Sequence, residues 1–148
     1  MMNAFEKDYQ QELKIRADYD AAKAAENEAG QEAARADIHE LWGSIEEKGE
    51  AYTRIYRDYK NSRDKGNEYI DFRDVIWDKD VESLVTCMRE NGIDRFTFSS
   101  GWSSAVETAW LFKENGCELE GLIQINGDQN FFKEEEYEKV PAYLFAIR

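Results

Sequence analysis

Val81-Glu82-Ser83-Leu84-Val85-Thr86-Cys87-Met88-Arg89-Glu90-Asn91-Gly92, running straight into Ile93-Asp94-Arg95-Phe96-Thr97-Phe98, is the stretch that decides the fold. Ala105-Val106-Glu107-Thr108-Ala109-Trp110-Leu111-Phe112-Lys113-Glu114-Asn115-Gly116, followed by Leu119-Glu120-Gly121-Leu122-Ile123-Gln124-Ile125, repeats its form. Each copy is an amphipathic helix that stops at Asn-Gly, where glycine adopts the left-handed conformation that ends a helix, and a strand follows. Asp78 or Asp80 is placed to cap the first helix, and Ser100 or Ser103 the second. Upstream, Tyr69-Ile70-Asp71-Phe72-Arg73 alternates as a strand, and Ala142-Tyr143-Leu144-Phe145-Ala146-Ile147 is an apolar strand downstream. Right-handed crossovers put the first three strands parallel, and the fourth joins antiparallel after a connection over 126–141. Pro141 suits an edge or first position, because it has no N–H to give.

Working outward, the composition changes near Gly66. Residues 1–66 lack proline and valine and read as helix, whereas 67–148 hold the α/β pattern. The first helical stretch, about 4–29, has a thin stripe of Phe5, Tyr9 and Leu13 and then almost only alanine. The second, about 33–64, carries Ile38, Leu41, Ile45, Tyr52, Ile55 and Tyr59 on an alternating spacing of three and four in which Lys48 interrupts one slot, with the break between the two stretches near Gly30. The expected architecture is α/β: a helical hairpin over 1–66, then a small three- to four-stranded mixed sheet with two crossover helices over 67–148.

The 148 residues suit one domain, or a small domain with an appendage. Hydrophobic residues at 42% are enough to build a core. Lys and Arg number 19 against 32 Asp and Glu, for a net charge of −13. Residues 1–66 hold 11 basic and 15 acidic side chains and 67–148 hold 8 and 17, so the acidity concentrates on the α/β part. That sign argues against DNA, RNA or an anionic membrane as a direct partner. There is no apolar run near 18 residues and no basic-then-apolar start, so the expected location is the cytoplasm. Cys87 and Cys117 have no metal or redox spacing.

Ser99-Ser100-Gly101-Trp102-Ser103-Ser104-Ala105 lies between a strand and a helix, and Gly101-x-Ser103-x-Ala105 echoes a nucleophile elbow. A nucleophilic serine needs an oriented base, yet the one histidine, His39, sits in the N-terminal helical part. No catalytic residue is therefore assigned. The same turn offers hydroxyls and N–H groups to an anion, which makes Ser99, Ser100, Gly101, Ser103 and Ser104 a candidate ligand site, with a plain helix cap as the simpler reading. Asp78-Lys79-Asp80 has Ser83 and Arg89 where a calcium loop needs Gly and Glu, and Asn126-Gly127-Asp128 reads as a turn. Neither metal nor cofactor is expected. Tyr52, Ile55, Tyr56 and Tyr59, beside Arg54, Arg57, Lys60 and Arg63, form a candidate helical interface, either for a homodimer or for docking on the α/β part. Most of the aromatics, Trp42, Trp77, Trp102 and Trp110 with eight Tyr and eight Phe, are expected in the core or the seam between the two parts.

Three segments carry a resemblance: Asp74-Val75-Ile76-Trp77-Asp78-Lys79-Asp80-Val81, Phe96-Thr97-Phe98-Ser99-Ser100, and Val140-Pro141-Ala142-Tyr143-Leu144-Phe145. Over 69–147 the chain resembles an uncharacterised family of small acidic bacterial proteins often found in mobile elements. The resemblance brings no activity and no site residue, and it implies a setting where anti-defence proteins are common. Together with the charge, it leads to the expectation of a non-enzymatic acidic module that binds a basic protein. In its sharper form the module mimics nucleic acid and fills the basic groove of a nuclease or a restriction or CRISPR effector. The carboxylates expected to act are Asp71, Asp74, Asp78, Asp80, Glu82, Glu118, Glu120, Glu134, Glu135, Glu136 and Glu138. A small-ligand protein using the 99–104 turn and a dimer formed through 38–59 are the alternatives.

Overall fold

The computed structural model describes residues 2–129, 132 and 136–148. Among them the element order is α1 (Ala4–Ala24), α2 (Glu28–Glu47), α3 (Glu50–Asp64), β1 (Ile70–Phe72), α4 (Asp78–Glu90), β2 (Arg95–Phe98), α5 (Ala105–Glu114), β3 (Cys117–Gln129) and β4 (Tyr137–Ile147). The near-repeat folds as its sequence predicts. Gly92 and Gly116 both have φ of +89°, and each preceding asparagine turns its amide back on the helix. Asn91 Nδ2 donates to the Cys87 carbonyl, and Asn115 Nδ2 to that of Leu111, both at 2.8 Å. The starts are less well anticipated. Trp77 occupies the N-cap of α4, with Asp78 and Asp80 in the first turn, and Ser104 occupies that of α5; neither makes a side-chain cap bond. The two aspartates act instead on the positive end of the helix.

The helical region holds three helices. Glu26, at φ of +52°, turns the chain before Asn27 caps α2, so Gly30 lies inside the helix and not at the break. The stretch expected as one helix over 33–64 is two, because Gly49 at φ of +104° cannot continue an α-helix. α1 is held to its neighbours through polar groups as well as apolar ones. Tyr52 donates to Asp8, Tyr59 to Glu6 and Tyr9 to Asp64.

The strand order is β1-β2-β4-β3, with β1 and β2 parallel and β4 antiparallel to both β2 and β3. The first three strands thus share a direction, as expected, and β4 slots between β2 and β3. Pro141 therefore sits in an interior strand, not at an edge. It is tolerated because β2 pairs only with Tyr143–Ala146 of β4, so at Pro141 the side facing β2 has no ladder to complete. Phe96, Phe98 and Phe145 of the sheet pack against Phe112 of α5, in one apolar cluster that extends to Phe5, Tyr52 and Ile55.

The connection expected over 126–141 is largely strand: β3 runs on to Gln129 and β4 starts at Tyr137, so Asn126-Gly127 is a bulged strand segment and no turn. The far half of this hairpin curls back toward β1. Asn126 bonds Asn67 and Lys65, and Arg73 reaches Asp128 at 3.4 Å. A Cβ on Gly127 would meet the Arg73 guanidinium and lie 2.9 Å from Val140 Cγ1. Gly127→Ala is thus expected to cost about 1–3 kcal/mol by overpacking this contact, read as a lower melting temperature. An unchanged melt would show that the hairpin is not clamped there.

Candidate functional site

The parallel strands end together at Phe72 and Phe98, and the Ser99 amide donates to the Phe72 carbonyl at 3.0 Å. Beyond this point the chain feeds the first turns of α4 and α5, and in open α/β sheets this is the side where ligands and partners are received. Val75, Ile76, Trp77, Asp78, Lys79 and Ser104 line an open cleft there of about 500 Å³.

Beneath the cleft is a row of polar groups. Asp71 accepts from Thr97 Oγ1 at 2.7 Å and from Ser99 Oγ at 2.6 Å, and its amide donates to Ser62 Oγ of α3 at 2.9 Å. Burial pushes the Asp71 carboxyl above its ordinary range, against the pull of those two hydroxyls. On α3, burial pushes Asp58 up to about 7; Arg54 opposes this, and the charges of Asp74 and Asp71 add to it. Arg54 lies with Nε 3.8 Å from Asp58 and its Nη2 donates to the Val75 carbonyl at 3.1 Å. It thereby joins the helix to the loop that presents Trp77.

Trp77 and Asp78 line the cleft, and other exposed aromatic and acidic residues lie close to them in sequence or in the turn before α5. Trp77 is 66% exposed and Trp102, in the turn before α5, is 60% exposed. Asp74, Asp78 and Glu82 are exposed and Asp80 is half-buried. With Trp110 also outside, three of the four tryptophans face solvent, while Phe5, Phe72, Phe96, Phe98, Phe112 and Phe145 supply the aromatic core. Composition could not show this, since an aromatic count carries no direction.

Of the other carboxylates named from the sequence, the described ones do not join this group. Glu118 pairs with Arg148 at 2.6 Å and Glu120 with Arg95 at 2.7 Å, at the end of the sheet where β2 begins. Glu136 and Glu138 are exposed at the far end of the hairpin, while Glu134 and Glu135 lie outside the described residues. Asp71 is engaged internally. In the Ser99–Ser104 turn, Ser99 is committed to Asp71 and Ser100 Oγ accepts from the Trp102 amide, leaving Gly101, Ser103 and Ser104 exposed. An anion there would face the Asp71 carboxylate behind Ser99. Tyr52, Ile55, Tyr56 and Tyr59 are buried in the chain's own core, where Tyr52 and Tyr59 pack on Phe5 of α1 and Tyr56 on Trp42 of α2. Among the described residues no cluster of three or more His, Cys, Asp or Glu has a metal-holding arrangement, and no helix is long and apolar enough to cross a membrane.

The family profile described as a domain of unknown function (DUF7698) matches residues 54–147. The chain belongs to that family. The DUF7698 match begins inside α3, so it includes Arg54, Asp58, Asp71 and the whole cleft, and it leaves α1 and α2 outside. No curated protein and no solved structure matches the chain.

Proposed function

We propose that this chain is a non-enzymatic protein-binding module that receives a basic partner at the cleft between the starts of α4 and α5. The observation that carries the proposal is the exposed Trp77, which lines the cleft beside Asp78, with Asp74, Asp80 and Glu82 close to it in sequence and a second exposed tryptophan, Trp102, in the turn that brings Ser104 to the same cleft. A tryptophan left largely in water forgoes burial worth a few kcal/mol, and it is the side chain most concentrated in binding hot spots. Its ring face attracts arginine and lysine, and surrounding carboxylates steer the same cations and fix their orientation. The net charge of −13 supports a basic partner over an acidic one. An inhibitor filling the groove of a nucleic-acid enzyme is the sharper form of this proposal, in the mobile-element setting that the family resemblance implies. The distribution of acids over separate ends of the sheet favours a contact made at one end.

An oligo-arginine peptide titrated into the full chain, followed by tryptophan fluorescence, tests it. Saturable binding is expected, weakened by salt, reduced at least tenfold by Trp77→Ala, and reduced again when Asp74, Asp78, Asp80 and Glu82 are made amides. Binding indifferent to both changes, or none at low salt, would discard this surface.

A further inference from the structure

The sheet has two edges, and they are treated differently. β1 is three residues long, and Ser62 of α3 takes its Asp71 amide. β3 is thirteen residues long and has β4 as its one neighbour. In an antiparallel ladder, the N–H and C=O of alternate residues face the partner strand while those between face outward. Two observations fix which residues of β3 face outward. Gln124 stands opposite Pro141, which has no N–H to offer, so Gln124 is in a pair without ladder bonds. Two residues on, Asn126 sends its backbone groups away from β4, to Asn67: its amide donates to Asn67 Oδ1 at 2.8 Å and its carbonyl accepts from Asn67 Nδ2 at 2.9 Å. The Asn67 side-chain amide there does what the peptide group of a neighbouring strand would do. By the same period of two, Leu122 and Gln124 present N–H and C=O groups on the same outer edge.

Their surroundings say what can cover them. Leu122 is 69% exposed and Leu119 is 53% exposed. The bulge between Leu119 and Gly121 puts both leucines on the α5 face, because each pairs with a β4 residue, Phe145 or Tyr143, on that face. From Gly121 to Gly127 the strand has no charged side chain, in a chain of net charge −13. Glu118 and Glu120, just before it, are neutralised by Arg148 and Arg95 of the same chain. A second copy of so acidic a chain meets least repulsion along such a segment, and a basic partner would find no carboxylate to pair with there.

We infer that two copies of this chain associate through β3, strand to antiparallel strand, about a two-fold axis passing beside Ile123. That axis sets Leu122 of each copy opposite Gln124 of the other. Both residues face outward, so each pair exchanges two backbone hydrogen bonds and the two sheets join into one of eight strands. The two Leu122 side chains become diagonal neighbours on the α5 face, within reach of each other, and the Ile123 side chains meet on the opposite face. A contact this short suits a dimer that forms in the micromolar range and dissociates on dilution.

Sedimentation velocity of the full chain across that range tests it, with circular dichroism as the check on folding. The wild type is expected to move from monomer to dimer with concentration. Leu122→Lys is expected to stay monomeric with an unchanged spectrum, since an exposed lysine on an edge strand blocks pairing. The double variant with Leu122→Lys and Gln124→Glu is expected to dimerise again, because this register sets each lysine opposite a glutamate. A monomeric wild type, or a dimer untouched by Leu122→Lys, would overturn the inference. A monomeric double variant would overturn the register about Ile123.

Discussion

Replacing Glu12 by alanine is expected to lower the unfolding free energy by about 2–3 kcal/mol, because a buried N–H loses its acceptor while the cations left behind are partly in water. Glu12 is 1% exposed. Its carboxylate accepts from Arg16 Nη2 at 2.6 Å and from Trp42 Nε1 at 3.1 Å, and Lys60 Nζ lies 3.7 Å away. The single side chain therefore ties α1 to α2 and α3. Its loss strands the Trp42 N–H and removes a counter-charge from two cations. Glu12→Gln keeps an acceptor for Trp42 but no charge, so it should lose less. Urea unfolding followed by tryptophan fluorescence gives both values. A loss below about 1 kcal/mol for the alanine variant would place Glu12 with ordinary surface charges.

The same residue shows why α1 is harder to read than the α/β part. Counting apolar positions gives α1 a thin face, and by that measure it has little reason to dock. Its docking groups are Glu6, Asp8, Tyr9 and Glu12, meeting Tyr59, Tyr52, Asp64 and Trp42 respectively. Partners this far apart in the chain leave no periodic trace. The near-repeat is legible for the opposite reason. Asn91-Gly92 and Asn115-Gly116 act on carbonyls four residues back, so the signal and its effect lie in one window. Strand direction follows from those two crossovers. The insertion of β4 between β2 and β3 does not, because pairing order depends on which edge offers the better partner after the chain has turned back.

The candidate site divides along the same line. That strand ends and helix starts converge near Ser99–Ser104 follows from the local pattern, and the structure confirms the convergence. Asp71 turns inward on β1, beside Thr97 and Ser99, which had to be placed there first, whereas Asp74 and Asp78 follow the strand, in the loop and the first turn of α4, and stay outside. Arg54 and Asp58 read as an ordinary i,i+4 pair on an amphipathic helix. Their importance comes from what α3 packs against, which brings Asp71 and Asp74 within electrostatic reach of Asp58.

That cluster gives the second large effect, a stability that falls with rising pH. Asp58 has an ordinary value of 3.8 and is pushed to about 7 in the fold, first by burial and then by Asp74 and Asp71, against Arg54 and Arg57. Between those two values the native chain holds a proton that the unfolded chain has released. Stability then drops as pH rises through the window, and the preference is lost once Asp58 ionises above about 7. A shift of this size corresponds to about 4 kcal/mol at most, and about 2–4 kcal/mol is expected because the side chain keeps 22% of its exposure. Other carboxylates add slopes of their own, so the readout is a difference. Asp58→Asn keeps the shape and cannot ionise, and its stability relative to wild type should climb as pH goes from about 4.5 to about 8.5. Parallel curves would mean that Asp58 titrates alike in both states. A variant that loses ground as pH rises would mean that Arg54 dominates and holds the carboxylate charged. In the expected case the ionised Asp58 draws on the same guanidinium that holds the Val75 carbonyl.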